Sequence, residues 1–243
     1  MVDEIDNLKK MFMPVLLVFA VSFIFLMTFN IRKEHVMGIN LVLPLPAIDS
    51  VSLSLFNKIQ HDLLPKDMKI LITNPINALL VQIDISLVFA FLVSLPILLY
   101  RVTSYLAPAL RKHEKRLVVI FIVPSALLFL SGCVLGYLFL VPAILKLMNS
   151  YVILLNAATY FEINKFISFV LGFTFLSGVA FMLPVFMKLS GGIGIHRRFW
   201  GKNFKYALAV IVIMAFVVTP DIMTMVLVSA VLISLYALGY FLS

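Results

Sequence analysis

Ala107-Pro108-Ala109-Leu110-Arg111-Lys112-His113-Glu114-Lys115-Arg116 is the densest patch of charge in the chain, and long apolar runs flank it on both sides. One carboxylate, Glu114, sits there among four cations, Arg111, Lys112, Lys115 and Arg116. Runs that apolar belong in lipid, so the loop between them lies at a membrane surface. Its excess of cations marks that surface as the cytoplasmic one. A basic loop that only orients its neighbouring helices satisfies the same observation, so charge alone leaves both a topogenic and a functional role open.

Composition sets the class. Of the 243 residues 63% are hydrophobic, and the mean hydropathy is +1.13. That is more apolar surface than a soluble domain of this length could bury, and several runs reach the roughly 20 residues that cross a bilayer. The expected fold is all-α, a polytopic membrane protein. The formal charge of +8 would suggest nucleic acid in a soluble protein. Here the cations cluster in two short loops, as the positive-inside bias produces, and no nucleic-acid partner is implied. The single cysteine, Cys133, lies within an apolar run and is read as a packing residue. Acidic residues precede the first apolar run and no small-residue cleavage pattern follows it, which reads as a retained span rather than a removable signal peptide.

The apolar runs place spans at 11–29, 78–100, 117–145, 163–189, 206–219 and 222–242. With basic loops around Glu114 and Arg197 on one side, these make a bundle of six transmembrane helices with both termini cytoplasmic. The fifth run is only about 21 Å long as a helix, against a hydrocarbon core of about 30 Å, so the last two spans form a short hairpin in thinned bilayer. The outer segment 30–77 is too long for a simple turn. Asp49 or Ser50 is placed to cap a helix in which Val51, Leu55, Ile59 and Leu63 share a face, and Pro44, Pro46, Pro65 and Pro75 punctuate the rest. A second outer loop is expected over 146–165.

Several residues are candidates on chemical grounds. Asp84, in the outer third of the second span, is either structurally paired or functional, since a carboxylate facing hydrocarbon is costly. Gly132 and Gly136 form a small-residue face suited to close helix packing, and Pro124 and Pro142 stand near the two ends of the same span. Pro184 should loosen the inner end of the fourth span. Trp200 and Tyr206 suit the interfacial aromatic belt. Asp221, at the tip of the last hairpin, is placed to cap the returning helix.

Pro96 through Arg116, with Tyr105-Leu106 leading into the charged stretch, resembles the signature segment of the TatC family, the core receptor subunits of twin-arginine protein translocases. Gly136-Tyr137 with Val141-Pro142, then Phe166 to Val170 leading to Gly178 to Pro184, and finally Thr219-Pro220-Asp221 resemble the family in the same order. The resemblance covers essentially the whole chain.

That resemblance implies reception of folded cargo carrying paired arginines in its signal peptide. It also implies assembly with small single-span partners resembling TatA and TatB, and with further copies of the chain, into a transient pore driven by the protonmotive force. Two guanidiniums need a carboxylate in bidentate geometry, and Glu114 is the acid that the inner loops offer. By position, Glu114 would bind the arginine pair, with Tyr105 as an aromatic contact or an interfacial anchor and Arg116 beside it. The family's N-terminal His-Leu-x-Glu-Leu-Arg pattern is eroded here to Glu4-Ile5-Asp6-Asn7-Leu8-Lys9, leaving Asp6 or Glu4 as substitutes for its acid. Met182 stands where many members carry a fourth-span glutamate, and Met225 and Ala237 stand in place of polar residues of the last span. Pro44, Asp84, Pro142, Met182 and Asp221 complete the candidates. No cofactor or metal is expected.

An intramembrane hydrolase would need its nucleophile, base or metal ligands at bilayer depth, yet His35, His61, His113 and His196 all fall in loops or at span ends, so an enzyme is not expected. The other reading is a proton-coupled secondary transporter of small solutes, which rests mainly on Asp84.

Overall fold

The computed structural model describes residues 2–36, 39–46, 50–65, 68–106, 112–154, 159–192, 197–218 and 222–242, with side chains at 9, 12–30, 50–65, 68–102, 104, 124–154, 160–188, 200–213, 215–216 and 222–241. In chain order the elements are helix α1 (Val2–Thr28), strands β1 (Phe29–Val36) and β2 (Ile39–Pro46), helix α2 (Val51–Leu63), strand β3 (Met68–Leu71), and helices α3 (Ile76–Leu106) and α4 (Lys112–Leu135). A π-helical turn (Gly136–Leu140) leads into α5 (Val141–Leu154). Strand β4 (Thr159–Glu162) and helices α6 (Ile163–Phe181), α7 (Leu183–Gly192), α8 (Arg197–Lys202), α9 (Phe204–Val218) and α10 (Ile222–Leu242) follow.

Among the described residues four stretches are long and apolar enough to cross a membrane, Ile76–Val102, Pro124–Leu154, Ile163–Lys188 and Ile222–Phe241, and Phe12–Thr28 and Phe204–Ile213 are shorter apolar helices. The helices leave large apolar side chains uncovered, including Leu16, Leu17, Val21 and Ile24 on α1 and Val210, Ile213 and Phe216 on α9. In water such surface would cost about 25 cal/mol per Å². In hydrocarbon it costs nothing, while the helical backbone satisfies its own polar groups. This is an all-α, multi-pass membrane protein.

The chain forms two compact units, Met1–Val102 with Asn156–Leu171, and Thr103–Leu155 with Gly172–Ser243. In the first, β1 and β2 make an antiparallel hairpin directly after α1, and α2 packs on α1. The buried face of α2 is Ser52, Phe56, Ile59 and Leu63. The expected stripe from Val51 through Leu55 is thus turned by one position in its first half, with Ser52 and Phe56 inward and the Ser50 and Ser52 hydroxyls hydrogen-bonded at 2.7 Å. Ser50 occupies the N-cap position, yet its side chain does not cap the helix; Asp49 lies outside the described residues. Strands β3 and β4 pair in parallel from Met68↔Thr159 to Leu71↔Glu162. Val81, Ile85, Ile163, Phe166, Ile167 and Val170 form part of the buried interior.

In the second unit α4 and the π-helical turn that follows it come close to α6 at two glycines, against Ser177 and Phe181 of α6. A Cβ added at Gly132 would lie 2.6 Å from Phe181 Cβ and 2.8 Å from the Ser177 carbonyl oxygen, and one at Gly136 would lie 2.6 Å from Ser177 Cβ. Ser177 donates a 2.8 Å hydrogen bond to the Gly132 carbonyl, and Phe129 and Phe175 meet edge to face at 5.6 Å. Met187, Ile211 and Tyr236 form a second cluster that joins α7, α9 and α10, with Trp200, Leu232 and Tyr240 packed around it.

Several boundaries depart from the sequence reading. The helix that begins the chain starts at Val2, so the expected polar lead continues into the first span without a break. The third span runs on to Leu154, which shortens the outer loop expected from 146 to 165. The fourth breaks at Met182, two residues before Pro184, whose ring nitrogen cannot donate to the preceding turn. Helix α9 has 15 residues, about 22 Å at 1.5 Å each, and is as short as expected.

Gly132→Ala should lower stability by about 1–3 kcal/mol, because the methyl meets Phe181 Cβ and backbone rather than open space. Gly172→Ala, where a Cβ meets nothing within 4 Å, should lose none. Cys133 is buried and is the one cysteine in the chain, so a thiol-reactive dye reports unfolding in detergent. A lower melting temperature for the first variant alone is the expected outcome.

Candidate functional site

Glu114 is the third residue of α4 and Arg116 the fifth, so both stand in the first two turns of that helix. A carboxylate so near a helix N-terminus is favoured by the partial positive charge of the free amide groups. Tyr105 is in the last turn of α3. Two long helices therefore end and begin on either side of 107–111, which lies outside the described residues. Glu4 and Asp6 lie near the start of α1, where acids likewise complement the helix dipole. The side chains of these five residues lie outside the described ones, and Glu4 and Asp6 belong to the first unit while Tyr105, Glu114 and Arg116 belong to the second.

The remaining candidates are spread over the fold. Pro44 is in β2. Pro142 follows the π-helical turn at the start of α5, half-buried. Met182 occupies the break between α6 and α7, where its carbonyl accepts a 3.0 Å hydrogen bond from the Phe186 amide. Asp221 lies outside the described residues. Asp84 accepts a 3.1 Å hydrogen bond from the Ser168 hydroxyl, linking α3 to α6 within the first unit.

A polar cluster around Glu162 has no counterpart in the sequence reading. Thr73 Oγ1 donates to Glu162 Oε1 at 2.8 Å and Asn77 Nδ2 donates to the same oxygen at 3.0 Å, while Lys165 Nζ lies 3.1 Å from Oε2. Asn74 fixes the start of α3 by accepting the Ile76 amide at 3.0 Å. The parallel pairing of β3 with β4 brings Glu162 to Thr73 across 89 residues of sequence. The Thr73 and Lys165 hydrogen bonds hold the Glu162 carboxyl below its ordinary value of 4.5 against desolvation, with lesser help from the Lys165 charge and the Asn77 hydrogen bond. At the other end of the chain Tyr236 donates a 2.9 Å hydrogen bond to the Trp200 carbonyl, and its ring meets Trp200 edge to face at 6.3 Å. Trp200 is thus half-buried in a cluster, whereas Tyr206 is exposed as an interfacial residue would be.

The family described as "Sec-independent protein translocase protein (TatC)" matches residues 3–230. The chain belongs to the TatC family. A TatC protein of Cenarchaeum symbiosum is 28% identical over 98% of this chain and 92% of its own length, and one of Aquifex aeolicus is 30% identical over 72% and 74%. A crystal structure of the twin-arginine translocase receptor TatC superposes with a TM-score of 0.76, covering 98% of this chain and 96% of the other at 23% identity; a second, in DDM, gives 0.76 at 24%. At that identity the likeness is one of fold. Membership of the TatC family makes protein translocation in a membrane the function, and it leaves the small-solute transporter reading without support. Asp84, on which that reading leaned, is hydrogen-bonded to Ser168.

Because the folded Glu162 carboxyl titrates below its unfolded value, its network stabilises the protein fully above about pH 4.5, and the stabilisation is lost as pH falls from there through the lowered folded value. Glu162→Gln should therefore melt below the wild type at neutral pH, and the gap should close on acidification below pH 4.5. Melting curves of both proteins across that range check the sign.

Proposed function

We propose that this protein is the signal-peptide receptor of a twin-arginine translocase and organises its channel, with Glu114 as the anion that holds the paired arginines of the cargo's signal peptide. The observation that carries the reading is the position of Glu114 on the first turn of α4, a helix whose stretch from Pro124 onward is apolar and long enough to cross a membrane. A helix N-terminus and flanking cations both favour an ionised carboxylate there, and an ionised carboxylate forms the fork-to-fork pair that a guanidinium makes and an ammonium does not. Tyr105 and Arg116 flank the site on α3 and α4, and Asp6 or Glu4, near the start of α1, stands in for the acid of the family's N-terminal pattern.

The whole chain acts as one integral membrane domain of six spans, with α1 and α9 as the short ones and both termini cytoplasmic. The basic clusters at 111–116 and 197–205 support that orientation through the positive-inside bias. Small single-span membrane proteins resembling TatA and TatB complete the assembly, further copies of the chain join it, and the protonmotive force drives transport. The shortness of α9 supports thinning of the bilayer beside the last hairpin. Met182, at the helix break, stands where many members carry a glutamate, so a buried polar contact with a partner helix is not part of the proposal there.

Glu114→Ala should abolish crosslinking of a photoreactive twin-arginine peptide while the protein remains inserted and abundant. Undiminished crosslinking removes Glu114 from the site. Charge reversal at Asp6 should weaken precursor affinity by a smaller factor, and unchanged affinity on titration of the precursor excludes a supplementary role.

A further inference from the structure

Among the described residues strand β1 pairs with β2 alone, in a two-stranded sheet, so this hairpin has two outer edges. In its register Ile31 is opposite Pro44 and Phe29 is opposite Pro46. Along an antiparallel ladder, pairs that exchange two hydrogen bonds alternate with pairs that exchange none, and in the latter the backbone groups face away from the partner strand. Proline has no N–H to give, so Pro44 and Pro46 belong to the second kind. Asn40 and Val42 share their parity, and together these four positions form the outer edge of β2, half of it closed by proline. The same parity on β1 turns the backbone groups of Phe29, Ile31, Lys33 and His35 outward, and every one of those residues has an N–H. Helix α2 also approaches β1, but a helix uses its backbone groups internally and cannot complete a ladder.

We propose that a second copy of this chain pairs with the open edge of β1, antiparallel about a two-fold axis, so that two hairpins form one four-stranded sheet. A lone two-stranded hairpin is marginal in water, and further strands stabilise it. The charges of β1 select a copy of itself as the occupant. With Lys33 opposite Lys33 of the second copy as an outward, hydrogen-bonding position, Arg32 of each copy falls opposite Glu34 of the other. Those two pairs are of the non-hydrogen-bonded kind, in which opposing residues come closest, and opposite charges there favour pairing. Symmetry supplies two attractive pairs against the single Lys33 pair, and the contact is isologous and closes on itself. This gives the self-assembly proposed above a surface and is independent of the role of Glu114.

The test uses the full chain in membranes, in a Cys133→Ala background so that an introduced cysteine is the only one. Opposing Cα atoms in a hydrogen-bonded pair lie about 5.5 Å apart, within the roughly 4.4–6.8 Å span of a disulfide. Lys33→Cys should therefore give a disulfide-linked dimer on mild oxidation, and Val42→Cys, level with it on the proline edge, should not. Adding Arg32→Glu should lower the yield about fivefold, the effect of turning two attractive pairs repulsive, and the double swap R32E/E34R should restore it. Equal crosslinking at Val42→Cys, or no restoration by the swap, overturns the pairing. Co-purification of differently tagged copies without a Lys33→Cys dimer overturns this surface alone, whereas failure to co-purify overturns self-assembly as well.

Discussion

Hydrocarbon offers no hydrogen-bond partners, and the arrangement of this protein follows from that lack. Apolar side chains may face outward at no cost, so the helices need cover only part of their surface. Several polar side chains on the spans find partners within the protein, while the Ser86, Thr174 and Ser229 hydroxyls stay buried without one among the described residues. Ser94, Ser131 and Ser234 donate back to carbonyls of their own helices, Ser177 reaches the Gly132 carbonyl on a neighbouring helix, and Ser168 meets Asp84. Close approach of α4 and α6 at Gly132 and Gly136 both permits the Ser177 contact and shields it.

Where the helices leave the lipid, charge takes over from packing. Glu162 gathers Thr73, Asn77 and Lys165 and ties the strand before α6 to the start of α3. Glu114 is the contrasting case. It begins a helix among cations, with the helix dipole also favouring its ionised form. The first acid works by being satisfied within the fold, while the proposed role of the second depends on remaining available to two arriving guanidiniums.

Features read from local composition agree with the structure: apolar run lengths predict the helical spans, Pro184 the break near Met182, and the Gly132 and Gly136 pair the close packing. The hairpin of β1 and β2 was not legible, because prolines at 44 and 46 read as punctuation and only the register shows that both fall on one edge. The β3–β4 pairing joins four-residue strands far apart in sequence, and no local periodicity signals such a contact. The Glu162 network depends on that pairing and was hidden with it. For the site, residue identities rest on the family resemblance, and geometry adds the helix-terminal positions of Tyr105 and Glu114.

The most direct measurement is the ratio of affinities for a twin-arginine peptide and its double-lysine variant, taken on the purified wild type and on Glu114→Gln. If the Glu114 carboxylate reads the guanidiniums, the wild type prefers arginine by at least tenfold, about 1.4 kcal/mol, and the variant loses that preference because both peptides then meet a neutral amide. An arginine preference that survives intact in Glu114→Gln contradicts the account.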